Sequence, residues 1–505
     1  SNPEGYQITI AESAIHIYAL NNSGVFYALQ TLRQLWNQSR DLSSATITDY
    51  PRFKYRGIAL DTARHFFSVN EIESLIDIEA THKLNTLHIH FADDEGFRLA
   101  MDSFPSISAI GDVRGYGVAN TAFMFIAANL DTTNYTNAAY PLVNTLYTGT
   151  YSNADITNII NYANLRQITV IPEIDLPGHA RALIKSLPNT FVDPNDLSIY
   201  ISVQGYTDDV IPICTYASSI SVGSQFTTTI NDIVNRIANQ FNGQTTVYAE
   251  SYEVSIGGDE VASTAWTNDS SCTGGWANLN ALEKSHKFFQ MLAQTNSTLK
   301  LSGWQQFIQN DDASLGSNIV PANHVGHVWV WSTATTSSSI GIQQAQALAN
   351  NNYPTILAYA DQNYFDIAYT PDINEPGFTW STRFSDTQAA LSSAISASTT
   401  ISGTDTNYRK NILGLEGTLW SENLPNYNHM VYMALPKMAG LAEAAWANES
   451  LTTANSKVDW QNLATRLGCS NTGFLSYLYK LYGVHYRGYP NGISLEIPNN
   501  SICNP

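Results

Sequence analysis

Tyr252-Glu253-Val254-Ser255-Ile256-Gly257-Gly258-Asp259-Glu260 joins an apolar lead-in to an acidic turn. Val254 and Ile256 read as part of a buried strand, and the two glycines let the backbone turn sharply after it. Asp259 and Glu260 arrive side by side at that turn. Adjacent acids at an apolar strand end raise one another's pKa, a cost that points to a use for the charge. An acidic loop of no special role is an equal reading of this stretch alone, so the surrounding chain has to decide.

Strand-like segments recur outward from it, at 56–61, 86–92, 168–175, 252–258, 299–304, 325–331, 355–360 and 412–420. Helical spacing fills most of the gaps, over 70–82, 153–166, 225–241, 281–296, 340–351, 385–396 and 432–447. Repeated β-α alternation predicts a parallel sheet with right-handed crossovers, and eight units predict a closed (β/α)8 TIM barrel. A doubly wound open sheet would be supported by GxGxxG after a strand, and no strand is followed by one. The polar stretches 93–152, 176–224 and 361–384 follow strands, so they read as the loops that build the active face of such a barrel.

Residues 1–50 read as a small, partial α/β domain. Two strands, 6–10 and 14–18, precede a helix over 24–36 with Val25, Leu29, Leu32 and Leu35 at helical spacing. It is too small for a core of its own and is predicted to pack on the barrel domain. That domain takes 51–505 and ends in a helical tail after about 448.

Acids outnumber bases 43 to 24 in 505 residues, a formal net charge of −19. That balance argues against nucleic acid or an anionic membrane as partner and suits a neutral or cationic ligand. No run of about 18 apolar residues predicts a membrane span. Ser1-Asn2-Pro3 reads as a processed or trimmed start. Cys214, Cys272, Cys469 and Cys503 permit two disulfides and lack the close spacing of a zinc site. Glycosylation sequons stand at Asn21, Asn37, Asn134, Asn268, Asn296, Asn448 and Asn499. With the paired cysteines they predict passage through the secretory pathway, to an extracellular or lysosomal location.

The ends of the predicted strands carry the chemistry. Asp61 and Arg64 follow the first; His90, Asp93, Asp94 and Glu95 the second; Glu173, Asp175 and His179 the third. Asp259 and Glu260 follow the fourth, Trp304 and Trp331 the fifth and sixth, and Tyr359, Tyr364 and Asp366 the seventh. Trp420 and Glu422 stand at the end of the eighth. Acids, one arginine and several indoles gathered at one end suit a sugar, whose C–H face stacks on rings while charged groups bond its hydroxyls.

These segments resemble the family 20 glycoside hydrolases, the β-N-acetylhexosaminidases. The resemblance runs from Tyr6 to Cys503 and rests on six ordered motifs. They are Arg56-Gly57-Ile58-Ala59-Leu60-Asp61-Thr62-Ala63-Arg64-His65, Leu84-Asn85-Thr86-Leu87-His88-Ile89-His90 with Asp93-Asp94, and Pro172-Glu173-Ile174-Asp175-Leu176-Pro177-Gly178-His179. Ile256-Gly257-Gly258-Asp259-Glu260, Gly303-Trp304-Gln305 and Leu419-Trp420-Ser421-Glu422 complete the set. The first 50 residues resemble the end of the family's small α/β domain.

The resemblance implies Glu260 as general acid/base and Asp259 as the group that holds the substrate's 2-acetamido group, with Tyr364 bonding the acetamide carbonyl. That carbonyl is then the nucleophile, in a retaining, substrate-assisted route through an oxazolinium intermediate, an exception to the two-carboxylate scheme. It implies Arg64 and Glu422 on the 3- and 4-hydroxyls, Asp366 near the 6-hydroxyl, and Trp304, Trp331 and Trp420 as pocket walls, Trp331 being preferred to Trp329 as nearer its strand end. Asp93 and His179 are implied as the pair that orients the acid/base, and Cys214–Cys272 and Cys469–Cys503 as the disulfides. No cofactor or metal is implied; terminal N-acetylglucosamine or N-acetylgalactosamine is the expected substrate, and a homodimer the expected assembly.

Three positions depart from the family pattern: Ser255 stands where a His is usual, Ile89 where a Trp is, and Gln306 where a Glu is. Two rival readings remain. His88 and His90 with Asp93 and His179 resemble the ligands of a metal-dependent barrel hydrolase. A catalytically inactive carbohydrate-binding homologue on the same scaffold would need no acid/base at Glu260.

Overall fold

The computed structural model describes residues 2–39, 41–114, 147–216, 221–295, 298–334, 339–401, 410–447, 460–469 and 471–497. Its first unit is a three-stranded antiparallel sheet with one helix: β1 (Tyr6–Ile10), β2 (Ile15–Ala19), α1 (Asn22–Gln38) and β3 (Ala45–Asp49), in the order β2-β1-β3. The sequence pattern does not predict β3. Only Ile47 of its Ala45-Thr46-Ile47-Thr48-Asp49 run faces inward among apolar residues, too weak a period-2 signal for an edge strand.

The apolar face of α1 also differs from the prediction. Val25 and Leu29 are exposed, and Tyr27, Ala28 and Gln30 are buried instead. The docking of this unit explains the choice, because Tyr27 packs edge-on against Trp446 of the barrel domain at 5.3 Å. Arg56 and Glu4 meet in a fork of two 2.8 Å hydrogen bonds, both side chains buried, and Lys83 Nζ donates to Tyr6 and Thr31 at 2.7 Å. These contacts meet the prediction that the small unit leans on the barrel.

The barrel strands are β4 (Tyr55–Asp61), β5 (Thr86–Asp93), β6 (Thr169–Ile174), β7 (Glu253–Ser255), β8 (Lys300–Trp304), β9 (Val325–Val330), β10 (Thr355–Leu357) and β11 (Ile412–Leu419). Each pairs in parallel with its neighbours, and β11 pairs with β4 to close the ring. The fold is a TIM barrel, as predicted, and all eight strands fall within the predicted segments or one residue beyond. β4 and β5 are buried along their whole length, as expected for strands covered on both sides.

The outer helices are α2 (Val69–Thr81), α3 (Asn153–Asn164), α4 (Arg181–Ser186), α5 (Ser221–Gln240), α6 (Ala281–Thr295), α7 (Ile340–Asn350), α8 (Thr387–Ile401), α9 (Tyr427–Ala434) and α10 (Lys437–Trp446). Reciprocal capping boxes start α2, from Ser68 and Glu71, and α3, from Ser152 and Asp155. The single helix predicted over 432–447 is two, α9 and α10, because Pro436 cannot continue the hydrogen-bond ladder. Two further helices, α11 (Trp460–Leu467) and α12 (Gly473–Tyr482), form the predicted tail. No helix among the described residues is long and apolar enough to cross a membrane. Most of the predicted 93–152 loop, including Asn134, lies outside the described residues.

Candidate active site

The site grows from the C-terminal ends of the strands, where each carboxylate first organises its own turn. At the end of β4, Asp61 Oδ1 accepts from the backbone N–H of Ala63 and Arg64 at 2.9 and 3.1 Å. Its other oxygen accepts from Ser421 N at 3.0 Å, tying the Arg64 turn to the end of β11 that carries Glu422. The Arg64 guanidinium reaches Asp93 at 2.7 Å and Glu95 at 3.2 Å, and lies 5.5 Å over the Trp420 ring.

At the end of β7 the chain needs glycine for a stated reason. Gly257 and Gly258 have φ of +59° and +88°, and a Cβ on Gly257 would stand 2.1 Å from Asp175 Oδ1. Asp175 in turn accepts from Gly258 N at 3.1 Å, so the end of β6 holds the turn that presents Asp259 and Glu260. Glu260 itself has φ +51° and His179 φ +50°, left-handed backbone that is costly for residues with a Cβ. Two strained residues face each other, with His179 Nε2 3.5 Å from Glu260 Oε2. Behind it, His179 Nδ1 lies 3.4 Å from both Asp93 and Asp94.

Electrostatics separate the two adjacent acids. Burial pushes Asp259 up to about 7, aided by the Glu260 charge and opposed by His179. Burial also pushes Glu260 up, but His179 and a 3.2 Å hydrogen bond donated by Gln204 outweigh it, leaving Glu260 below the ordinary carboxylate range. One proton shared by the couple therefore rests on Asp259 when no ligand is bound.

These groups open into one cavity of about 370 Å3, monosaccharide-sized. Arg64, Asp93, His179, Asp259, Glu260, Trp331, Tyr364, Asp366, Trp420 and Glu422, all predicted from sequence, line it. Asp366 is fully buried with both carboxylate oxygens unpartnered, and Glu422 Oε2 is likewise unpartnered. Burial and the Glu422 charge raise Asp366 well above the usual range, while burial raises Glu422 to about 7 against the pull of Arg64. The segment carrying Tyr364 and Asp366 is fixed from below. Lys437 at the start of α10, itself buried, donates to Phe365 O at 2.9 Å and Ile367 O at 2.5 Å.

Trp304 is the correction. Expected to wall the pocket, it is fully buried outside the cavity lining, with its ring 5.6 Å from Trp420 and 6.0 Å from Trp329. As the last residue of β8 it faces the barrel interior and supports the Trp420 ring. Trp329 is buried in the same layer, and Trp331 is the cavity residue of that strand's end. Gln306, one of the departures from the family pattern, orients Trp331 by accepting from its indole N–H at 3.3 Å.

Sequence reasoning missed Gln204, Phe378, Thr379 and Trp380. Trp380 meets Trp331 and Tyr364 edge-on at 5.9 and 5.6 Å. All four lie in the 176–224 and 361–384 loops, whose position on the active face was readable; the turn at Gly377, φ +123°, that carries Trp380 to the rim was the available signal.

Cys214 and Cys272 are bonded, joining the loop after β6 to the one after Glu260. Cys469 is disulfide-bonded as well, and Cys503 lies outside the described residues. Asn21, Asn37 and Asn268 are exposed; Asn134, Asn296, Asn448 and Asn499 lie outside the described residues. The donors of Asp93, Asp94 and His179, or of Asp175, His179 and Asp259, are close enough to hold a cation. The histidines that suggested a metal site are engaged by carboxylates: His90 bonds Glu173 at 2.7 Å and Asp93 at 2.8 Å.

A parallel barrel with paired acids, an arginine and indole rings in one cavity at the strands' C-terminal ends is the architecture of a sugar-processing barrel protein. Residues 53–449 match the catalytic domain of glycosyl hydrolase family 20, and residues 1–50 match domain 2 of that family. The chain belongs to glycosyl hydrolase family 20. It is 30% identical over 448 residues to the β-hexosaminidase of Vibrio furnissii, covering 86% of this chain and 64% of that protein. Identity to the Vibrio vulnificus β-hexosaminidase is 29% over 485 residues, covering 88% of this chain and 54% of that one. Among solved structures, the GH20 exo-β-N-acetylglucosaminidase of Vibrio harveyi in complex with N-acetylglucosamine superposes with a TM-score of 0.75 at 29% identity, over 96% of this chain and 68% of that chain. The chain thus spans 54% and 64% of the length of the two curated relatives.

Proposed function

We propose that the protein is an exo-acting β-N-acetylhexosaminidase that removes terminal β-linked N-acetylglucosamine, and N-acetylgalactosamine, from glycans or chito-oligosaccharides. The observation that carries this reading is the pairing, in one monosaccharide-sized cavity, of an ionisable Glu260 backed by His179 with a half-buried Asp259 whose buried Oδ1 has no hydrogen-bond partner. The Vibrio harveyi structure, solved with N-acetylglucosamine, supports the same sugar here.

In the mechanism, the substrate's acetamide N–H donates to Asp259, and Tyr364 donates to the acetamide carbonyl. Hydrogen bonding to the carboxylate favours its charged form, so binding draws Asp259 towards the anion and leaves the shared proton for Glu260. The carbonyl oxygen then bonds C1 as the C1–O glycosidic bond breaks, and Glu260 gives its proton to the departing oxygen. The Asp259 anion stabilises the oxazolinium cation, and water, deprotonated by Glu260, opens it at C1 with retained configuration. Consecutive side chains diverge, which suits this division of labour better than an acid and nucleophile flanking one bond.

Arg64 and Glu422 hold the 3- and 4-hydroxyls, Asp366 the 6-hydroxyl, and Trp331 and Trp420 the acetamide and sugar faces, with Trp380 added at the rim. The Cys214–Cys272 disulfide and the exposed sequons at Asn21, Asn37 and Asn268 support maturation in an oxidising secretory compartment, ahead of an extracellular or lysosomal site of action.

The test is hydrolysis of 4-nitrophenyl N-acetyl-β-D-glucosaminide with a thiazoline mimic of the oxazolinium as inhibitor. Release of nitrophenol blocked by the thiazoline is expected. Folded protein that releases none would overturn the activity, and release indifferent to the thiazoline would overturn the acetamide nucleophile.

A further inference from the structure

The barrel interior holds a line of charged and polar groups that ends at the acid/base. Tyr55 donates to Glu416, and Glu416 Oε1 bonds His88 Nδ1 at 3.2 Å. His88 Nε2 lies 3.3 Å from Glu173 Oε2, and Glu173 Oε1 bonds His90 Nδ1 at 2.7 Å. His90 Nε2 bonds Asp93 Oδ2 at 2.8 Å, and Asp93 is 3.4 Å from His179, which faces Glu260. Ser255 enters this line at its branch point, donating to Glu173 Oε2 at 2.5 Å. All of these side chains except Glu260 are buried.

We infer that Ser255, Glu173 and His90 are positioning residues that hold the charge arrangement at Asp93 and thereby set the proton affinity of the His179–Glu260 pair. This rests on the activity proposed above and reaches beyond the residues that touch substrate.

The charges along the line supply the cause. Glu173 stands between the His88 and His90 imidazoles, and although burial opposes its charge, they hold it well below the usual range. Burial opposes charge on His90 too, but Asp93 and Glu173 raise it well above the ordinary histidine range, and with a carboxylate oxygen at 2.7 and 2.8 Å from its two ring nitrogens the geometry suits the imidazolium donating to both. A cationic His90 at 2.8 Å from Asp93 shares that carboxylate with Arg64 and His179. The other groups facing this line are Asp94 and Asp209 beside His179, Asp175 beside His90 and His179, and Asp259 beside Glu260.

If Glu173 loses its charge, His90 reverts to the neutral imidazole. Its remaining N–H stays on Nε2 toward Asp93, but the positive charge nearest Asp93 on that side is gone. The potential at His179 and Glu260 becomes more negative, so both bind protons more tightly. Ser255 acts in the same direction with less force: without its hydroxyl, the Glu173 carboxylate loses a donor, and the neutral Glu173–His90 pair gains population. In this chain a neutral donor serves the Glu173 carboxylate at the position where the family pattern has a histidine.

The test compares Ser255→Ala and Glu173→Gln with the unaltered protein on two aryl N-acetylglucosaminides. One has 2,4-dinitrophenolate, which departs without a proton; the other has 4-methoxyphenolate, which needs one. The basic limb of kcat/KM for the 4-methoxyphenyl substrate should move up by about one pH unit in Glu173→Gln and by about a third of that in Ser255→Ala. At the optimum, kcat/KM for that substrate should fall about tenfold in Glu173→Gln, while the dinitrophenyl substrate changes less than about twofold.

An unmoved limb, or equal losses on both substrates, would overturn the inference, because a merely structural role does not distinguish leaving groups. Should Glu173→Gln fail to fold, Ser255→Ala, which removes one oxygen, decides the matter. If the unaltered protein hydrolyses neither substrate, the proposed activity fails on its own. The imidazole 15N titration of His179 then tests the line without turnover: a rise in its midpoint in Ser255→Ala supports the inference, and an unchanged midpoint overturns it.

Discussion

A sulfate on the sugar's 6-oxygen should be rejected by this pocket, and the rejection should grow with pH. The proposed 6-hydroxyl site faces Asp366, fully buried with neither oxygen hydrogen-bonded, and Glu422 lines the same cavity. An anion about 4 Å from one ionised carboxylate, at an effective dielectric near 20, costs about 4 kcal/mol, roughly a thousandfold. Burial and the Glu422 charge raise Asp366 well above the usual carboxylate range, and burial raises Glu422 to about 7. Below pH 6 Glu422 is largely neutral and adds little to the penalty. As pH rises through 7, Glu422 ionises and the penalty approaches the full Coulomb figure. The assay is kcat/KM for 4-nitrophenyl N-acetylglucosaminide against its 6-sulfate at pH 5, 6, 7 and 8. The ratio should climb by at least about tenfold across that range, and Asp366→Asn should keep the climb while shifting its level. A ratio near one at pH 8 would refute the placement of these carboxyls around the 6-position.

Breaking the buried Arg56–Glu4 fork by Glu4→Gln strands a charged guanidinium and should cost about 3–5 kcal/mol, read as a fall in the denaturant midpoint; an unchanged midpoint would mean the small domain does not brace the barrel. Removing the Cys214–Cys272 disulfide, which closes a 58-residue separation, should cost about 2–4 kcal/mol in the same measurement and loosen the rim before the core. The basic limb of kcat/KM should fall near pH 7, because deprotonating Asp259 removes the one proton that binding passes to Glu260, and the basic limb of kcat should lie lower, since bound substrate stabilises the Asp259 anion and weakens the couple's hold on that proton. Coincident limbs would refute the proton shift on binding. Activity should survive EDTA in full, and a loss restored by a divalent cation would revive the reading of Asp93, Asp94 and His179 as ligands.

The barrel was legible because its strands are short, apolar and evenly separated by helices of ordinary length, so periodicity and length agree. The line-up of Asp61, Asp93, Glu173, Asp259 and Glu422 at strand ends was legible for the same reason: polar residues break an apolar run at the same point each time. Depth was not legible. Trp304 and Trp331 look alike as indoles at strand ends, yet one is buried beneath Trp420 and the other lines the cavity. That difference depends on which way the last strand residue points and on Gln306 anchoring the Trp331 indole, neither of which has a one-dimensional signature. Trp380 was missed because it reaches the rim from a long loop without periodicity, where the Gly377 turn is the one cue. Val25 and Leu29 of α1 misled because the apolar stripe of that helix does not face the barrel; Tyr27 and Gln30 do more of its packing.

Backbone strain at the acid/base ties the fold to the proposed chemistry. Glu260 and His179 both hold left-handed backbone, and each follows a tight turn held from a neighbouring strand end. Relaxing either would swing its side chain away from the 3.5 Å approach that lets the imidazolium control the Glu260 proton. Asp259, one residue earlier, needs no such approach: burial and the Glu260 charge raise it, and in the proposed mechanism substrate lowers it again. The adjacent acids are therefore regulated by different means, Asp259 by desolvation and ligand, Glu260 by a charged neighbour held under strain. Two carboxylates in a common environment would titrate as rivals for one proton wherever substrate sat. In the proposed mechanism the N–H of the acetamide is the group that reassigns it, so a substrate lacking that N–H would bind without arming the acid, and the selectivity for N-acetylated sugars would appear in kcat more than in KM.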